Sequence, residues 1–244
     1  MVLDSRLMSV YNLIRDNAIV ADIGTDHALL PAYLILNKKA KLAYACDINE
    51  GPLLSARDTV EHFHLEDKIK LVLSNGLDKI TADMADDIVI AGMGGTLIAD
   101  IIKRAQWLQD KSKHLILQPM TKDDFLRQFL LENGFTIEKE VACTAKGKCY
   151  SIMSVYFCGE KKTYDEVFLQ VGKLPQDLNE DSKNYISSKA FKVKKIADGY
   201  VKKGDLVAFN KYIELYNKLA SFLEDWNYVK RKKCIRLYRC TRTI

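Results

Sequence analysis

The side chains best suited to chemistry lie in one short stretch, VADIGTDHALLP at residues 20–31. It begins as a buried strand and ends as the start of a helix, and between them it holds Asp22, Gly24, Asp26 and His27. Loops that bind a pyrophosphate or a triphosphate use several glycines, because backbone N–H groups must approach the anion. This loop has only Gly24 and lacks the G-K-[ST] ending of a P-loop. The pattern therefore disfavours dinucleotides and nucleoside triphosphates.

The charge of Asp26 is a stronger guide to the ligand than the missing glycines. Two unit charges about 4 Å apart interact by ~4 kcal/mol at an effective dielectric of roughly 20, so this carboxylate would repel a phosphate and attract a cation. S-adenosylmethionine carries a sulfonium and an ammonium group but no phosphate, and its ribose diol suits Asp47 at the end of the second predicted strand. The loop thus favours a sulfonium nucleoside. The alternative for Asp26 is a cap on the helix predicted over 28–36, and the two roles are compatible.

Hydrophobic patterning predicts that strands alternate with helices along the first part of the chain. The five predicted strands span 18–24, 42–48, 69–76, 87–95 and 114–119. A strand followed by a helix, five times over, predicts an α/β fold with a mostly parallel sheet and helices on both faces. Two closing strands joined at AKGK, residues 145–148, add an antiparallel edge and make seven strands. Thr96 and Thr121 are predicted to cap the helices after the fourth and fifth strands.

The pattern changes after about residue 163. Apolar positions follow a helical period over 185–200 and again over 206–223, with Ile196 and Leu206 among them and the turn KKGD between them. Two such helices are typical of an antiparallel hairpin. The predicted parts are a ligand-binding domain over 1–162, a helical hairpin over 163–226 and a basic tail over 227–244.

The two C-terminal parts carry an excess of positive charge. Residues 182–226 hold nine lysines and five acids, and Lys192, Lys195 and Lys202 lie outside the apolar arc of the first hairpin helix. These lysines suit phosphate contacts, with a solvated face as the alternative. The tail has seven basic residues and no acid, while the whole chain has a net charge of +5. The tail either binds nucleic acid or is a non-native or disordered extension.

The motifs ADIGTDHALLP, AGMGG, LILQP and GKCY, in this order and followed by a helical hairpin, resemble the bacterial TrmK family of tRNA (adenine-N1)-methyltransferases. The similarity covers roughly residues 3–226. It implies a class I (Rossmann-like) methyltransferase fold, a coiled-coil-like C-terminal domain, and methylation of adenine 22 of tRNA by S-adenosylmethionine, which leaves S-adenosylhomocysteine.

The resemblance also assigns residues to the cofactor. Asp22, Gly24 and His27 belong to the cofactor loop, Asp47 and Ile48 hold the ribose, and Asn75 and Gly76 flank the adenine. Family members usually have Asp-Gly at the last pair, so Asn75 is a departure whose amide still suits a base edge.

Methyl transfer to adenine N1 needs no base for attack, because the ring nitrogen already has a lone pair. Methylation leaves the ring cationic, and Asp26 is the candidate catalytic residue that would stabilise this charge and help remove a proton. Gly92 and Met93 are assigned to the cleft, where a glycine leaves room for a flat base, or alternatively to a tight turn. Gln118 is predicted to bind the base edge, and Pro119 either packs on the base or ends its strand.

Other features bound the remaining possibilities. No C-x-x-C pair occurs among the six cysteines, so we expect no metal site and reduced thiols. No apolar run of about 18 residues and no secretory signal core is visible, so we expect a cytoplasmic protein without a membrane span. We also expect a monomer. The alternatives are a methyltransferase acting on another RNA, a small molecule or a protein, with the hairpin serving dimerisation, and a non-catalytic S-adenosylmethionine-binding RNA adaptor.

Overall fold

The structure is a computed structural model that describes residues 1–223. Seven strands form one sheet in the order β3-β2-β1-β4-β5-β7-β6. Their bounds are β1 Ala18–Ile23, β2 Ala40–Asp47, β3 Ile69–Leu73, β4 Asp87–Gly94, β5 His114–Thr121, β6 Phe135–Ala145 and β7 Lys148–Phe157. The first five strands pair in parallel, and β7 pairs antiparallel with both β5 and β6. This arrangement confirms the predicted α/β class and the antiparallel edge.

Eight α-helices accompany the sheet in the described part of the chain. Their bounds are α1 Ser5–Leu13, α2 Leu29–Leu36, α3 Glu50–His62, α4 Gly95–Arg104, α5 Asp123–Glu132, α6 Glu166–Val171, α7 Glu180–Lys202 and α8 Leu206–Ser221. The prediction of a helix after each of five strands was wrong at β3, which is followed only by turns before β4. Because β3 is the edge strand and β4 lies beside β1, this connection crosses the sheet without a helix.

The central strands owe their position to apolar side chains on both faces. Val20, Ile23, Val89 and Ile116 are almost completely buried, as expected for a parallel sheet covered by helices on each side. Residues of β1, β4 and β5 contribute to one core cluster that also takes in α1 and α2. The carboxyl ends of these strands are thereby held on a rigid base.

Tertiary packing, not local capping, sets where α4 and α5 begin. Gly94 is the residue before α4 and Lys122, in the left-handed conformation, is the residue before α5, and neither makes a side-chain capping bond. A Cβ on Gly95 would lie 2.2 Å from the backbone oxygen of Lys122. The predicted caps Thr96 and Thr121 are therefore wrong, since Thr96 lies inside α4 and Thr121 ends β5.

The chain divides into two compact units, Met1–Asp165 and a second unit that starts at Glu166. In the second unit α7 and α8 pack against each other, and α6 adds a helix to the predicted pair. Asn179 caps α7 and Asp205 caps α8 through side-chain oxygens. Ile196 and Leu206 were placed in the apolar stripes, but they are 45% and 64% exposed. Residues 224–226 of the predicted hairpin and the tail over 227–244 lie outside the described residues.

Within residues 1–223, no helix is both long enough and apolar enough to cross a membrane.

Candidate active site

The loop after β1 is fixed to the neighbouring strand by its backbone. The N–H groups of Gly24 and Thr25 both donate to the carbonyl oxygen of Cys46 in β2, each at 2.8 Å. Gly24 has φ +76°, and a Cβ at this position would lie 2.3 Å from the terminal methyl carbon of Met93. A glycine is required here by the backbone conformation. The fold thus brings two predicted site residues, Gly24 and Met93, into contact.

Asp26 does not cap α2. The residue before the helix is Ala28, which makes no side-chain capping bond, and both His27 and Ala28 have positive φ angles of 56° and 49°. Consecutive non-glycine residues in this region store strain, on the order of 1 kcal/mol each. The Asp26 side chain is 85% exposed, with its Oδ1 3.2 Å from Nε2 of His27. The capping alternative is therefore wrong, and the strained loop presents an exposed carboxylate.

Asp22 is the buried carboxyl group of the loop. It is 7% exposed, and Thr25 Oγ1 donates to its Oδ2 at 2.7 Å. Burial is the main cause that raises its pKa to about 6, and the charge of Asp47 adds to this rise. The Thr25 hydrogen bond and the charge of Arg6 lower the pKa but do not offset the effect of burial. A raised pKa means that the ionised form is poorly compensated, so a cation bound beside it would be favoured. The group fits a cationic ligand such as S-adenosylmethionine.

The ends of β2 and β3 supply the other predicted cofactor residues. Asp47 ends β2, and its Oδ1 accepts from the backbone N–H of Asn49 at 2.8 Å, which orients the carboxylate. Ile48 is 60% exposed beside it. Asn75 is exposed, with its Oδ1 3.4 Å from a guanidinium nitrogen of Arg104. The adjacent Gly76 has φ +61°, so this turn also depends on a glycine.

Gln118 is engaged within the protein. It is fully buried, and its Oε1 accepts from Arg6 Nη1 at 2.9 Å and from the Gly92 N–H at 3.1 Å. Its Nε2 donates to the carbonyl oxygen of Pro119 at 2.9 Å. A base edge could bind Gln118 only by displacing one of these partners. The amide therefore orients Gly92 and Arg6, and the structure does not support the predicted direct contact with the base.

Pro119 is also placed differently from the prediction. It is buried within β5, opposite Met93 of β4, and the strand continues to Thr121. Pro119 therefore neither ends the strand nor offers an exposed face to a base. Its neighbour Met120 is 43% exposed and lines the cavity described next.

A cavity of about 410 Å³ opens beside the loop. This volume is in the range of small-molecule sites. Its lining includes Asp22, Gly24, Asp26 and Gly92 from the predicted set, together with Asp4, Arg6, Leu7, Leu29, Leu30, Ala91, Met120, Ala145, Lys146 and Tyr150. The cavity thus joins the β1 loop to α1 and to the turn between β6 and β7.

Ten of the lining residues were not predicted as site residues, and Arg6, Lys146 and Tyr150 are among them. No local signal marks Arg6, because its partner Gln118 is 112 positions away along the chain. Lys146 precedes the GKCY motif and Tyr150 ends it, but this motif supported only the family resemblance and indicated no role for either residue.

The predicted RNA-contacting lysines lie in the second unit. Lys192, Lys195 and Lys202 are all exposed on α7. Lys194 is paired with Asp198, whereas Lys189 is buried with its ammonium group 5.5 Å from the ring centre of Tyr185. The three predicted lysines therefore keep their charges at the surface.

Over residues 1–223, no group of three or more histidine, cysteine or acidic side chains is arranged to hold a metal ion.

Comparison with known proteins gives consistent matches over most of the chain. A family model described as a methyltransferase domain matches residues 3–153. The tRNA (adenine(22)-N(1))-methyltransferase of Bacillus subtilis (strain 168) is 37% identical over 184 residues, which cover 75% of this chain and 77% of that protein.

Solved structures are similar over nearly the whole chain. The structure of Streptococcus pneumoniae Sp1610 in complex with S-adenosyl-L-methionine has a TM-score of 0.79 at 30% identity. The match covers 89% of this chain and 99% of that chain. The structure of M. capricolum TrmK in complex with S-adenosyl-homocysteine has a TM-score of 0.74 at 28% identity. The match covers 90% of this chain and 98% of that chain.

Proposed function

We infer function from one premise: this chain belongs to the methyltransferase-domain family and, within it, to the tRNA (adenine(22)-N(1))-methyltransferases. It is an S-adenosylmethionine-dependent enzyme that methylates N1 of adenine 22 in tRNA, forming 1-methyladenosine and S-adenosylhomocysteine. The observation that carries this conclusion is the 37% identity to the Bacillus subtilis enzyme. The cavity beside a loop with two carboxylates agrees with a positively charged cofactor.

The cofactor is held by residues at the carboxyl ends of the first strands. Asp22 offers a buried carboxylate to a positive group, Gly24 allows the loop to turn at φ +76° against Met93, and Asp47 suits the ribose hydroxyls. His27, Ile48, Asn75, Gly76, Gly92 and Met93 complete the proposed cofactor residues. When bound, S-adenosylmethionine supplies the methyl group from its sulfonium.

Asp26 is the proposed catalytic residue. Its exposed carboxylate lines the cavity, where it can stabilise the positive charge that develops on adenine when N1 gains a methyl group. The same carboxylate can accept a proton from the amino group of the methylated base. Because N1 attacks with its own lone pair, the other duties of the protein are alignment and exclusion of water.

The RNA must offer its adenine in an accessible form. N1 lies on the Watson–Crick edge, so a paired adenine 22 has to leave its stack before it can react. Lys192, Lys195 and Lys202 on α7 are proposed to contact the tRNA backbone, as exposed lysines suit phosphates. A tRNA substrate also favours a cytoplasmic location, and we propose a monomer as the active species.

Transfer of a radiolabelled methyl group from S-adenosylmethionine to purified tRNA tests this function against its alternatives. Label in tRNA, with binding that weakens as salt increases, is expected. Tight tRNA binding without transfer would instead indicate an RNA adaptor. Transfer only to a protein or a small molecule would remove tRNA as the substrate.

A further inference from the structure

The cavity lining combines acidic and basic groups. The β1 loop contributes the carboxylates of Asp22 and Asp26, and α1 contributes the guanidinium of Arg6, whose charge acts on Asp22. The turn between β6 and β7 adds Lys146, and β7 adds Tyr150. A positively charged cofactor is attracted to the carboxylates and repelled by a lysine. Lys146 therefore suits the second, phosphate-bearing reactant.

The hairpin of β6 and β7 is held in place by the fold. The pairing of β6 with β7 continues to Ala145 opposite Lys148 and includes Cys143 opposite Tyr150. Ser5 at the start of α1 donates to the carbonyl oxygen of Thr144 at 2.7 Å. This bond fastens the first helix to the hairpin, and both elements contribute residues to the cavity lining.

Tyr150 packs against the core and also faces the cavity. Its ring is partly buried against the core cluster that contains α1, β1 and β4 residues, yet it lines the cavity. A ring fixed in this way is a ready platform for an unstacked base, because every base offers a flat face to an aromatic side chain.

Lys146 supplies the charge that a nucleotide requires. It is exposed at the tip of the turn, with φ 49°, beside Gly147. Lys148, the first residue of β7, is also exposed but does not line the cavity. Lys146 therefore contributes its charge to the cavity, whereas Lys148 contributes charge only to the surface.

We propose that Tyr150 and Lys146 form the subsite for the target nucleotide of the RNA. The Tyr150 ring stacks on the extruded adenine, and the Lys146 ammonium group binds a phosphate next to it. The subsite rests on the proposed function, and it assigns a role to the GKCY motif. It also replaces Gln118, whose amide is already engaged, as the group that contacts the base.

Steady-state methylation of tRNA by the full chain tests the lysine. For Lys146→Ala we expect KM for tRNA to rise about tenfold, and the slope of log binding constant against log salt to become less steep by about 0.7–0.9. The kcat and the affinity for S-adenosylmethionine should be unchanged. Lys148→Ala is the matched control and should leave KM and the salt slope near those of the wild type.

The tyrosine is tested by two substitutions. Tyr150→Ala should lower kcat/KM for tRNA by about tenfold or more, because base stacking on an aromatic ring is lost. Tyr150→Phe keeps the ring and should stay close to the wild type, and an unchanged urea unfolding midpoint of Tyr150→Ala would exclude a folding defect in the alanine variant.

The outcomes distinguish this subsite from the function on which it rests. Equal effects of Lys146→Ala and Lys148→Ala, or a loss of cofactor affinity in Lys146→Ala, would overturn the assignment of the lysine. A Tyr150→Phe variant as impaired as Tyr150→Ala would overturn stacking. If the wild-type protein methylates no tRNA at all, the proposed function fails first, and with it the subsite.

Discussion

At the residue scale, Asp22 links the ionisation of the protein to its ligand. Its carboxyl group has a pKa of about 6 in the folded protein, raised mainly by burial. The proton is therefore bound below pH 6, where the carboxylate is lost and cannot attract a positive group. A cation beside Asp22 would reverse part of this shift, because it stabilises the ionised form.

We expect the affinity for S-adenosylmethionine to fall as the pH is lowered through 6. Between pH 7 and pH 5 the dissociation constant should rise about tenfold, as binding then requires release of the Asp22 proton. The measurement is calorimetric titration across this range. Asp22→Asn should bind weakly and without this dependence, whereas Asp67→Asn, an exposed acid of the same unit, should behave as the wild type. A wild-type affinity that is flat from pH 5 to pH 7 would contradict the role of Asp22.

Asp26 differs from Asp22 because it is exposed and its removal should not disturb the fold. We expect Asp26→Asn to retain its stability and most of its cofactor affinity and to lose about 100-fold in kcat, a typical contribution of a catalytic carboxylate. Single-turnover methylation at saturating cofactor measures this effect, again with Asp67→Asn as the control. Full activity in Asp26→Asn would remove its catalytic role.

At the element scale, the sequence predicts the strands better than the helix starts. Apolar runs such as those around Val20 and Val89 are local signals, so the predicted strands and their parallel order hold. The starts of α4 and α5 depend on the contact of Gly95 with the backbone of Lys122, a contact between elements that no capping rule includes. Gln118 shows the same limit, because its partner Arg6 comes from the other end of the domain sequence.

The contact between α4 and α5 makes Gly95 sensitive to substitution. We expect Gly95→Ala to lower the free energy of unfolding by about 1–3 kcal/mol, because the added methyl group meets a backbone oxygen that cannot rotate away. Gly51→Ala in α3 is the matched control, since no atom lies within 4 Å of its added carbon, and it should keep stability or raise it by up to about 1 kcal/mol. Urea unfolding of both variants measures their free energies of unfolding. Equal values for the two variants would contradict a steric clash between residue 95 and the Lys122 backbone.

At the scale of the whole molecule, the division into two units suggests two tasks. The first unit contains the cavity and every proposed cofactor residue, while the second presents lysines on α7. Sequence periodicity could predict both sets of elements. It could not assign RNA binding to the lysines, because a solvated lysine face has the same pattern.

Removal of the α7 lysines should separate RNA binding from cofactor binding. For a variant with Lys192, Lys195 and Lys202 changed to alanine, we expect weaker tRNA binding and a salt slope less steep by about 2, with unchanged affinity for S-adenosylmethionine. The control variant changes three exposed lysines of the first unit, Lys41, Lys68 and Lys111. Filter binding over a range of salt concentrations measures both. Identical slopes for the two variants would leave α7 without a specific role in RNA binding.

The most direct test of the whole account is nucleoside mass spectrometry of an unmodified tRNA transcript after incubation with the protein and methyl-labelled S-adenosylmethionine. We predict labelled 1-methyladenosine at position 22, and none in a matched transcript that has guanine at that position. Label in another nucleoside, or the same amount of label in both transcripts, would contradict the central claim that the cavity serves methylation of adenine 22.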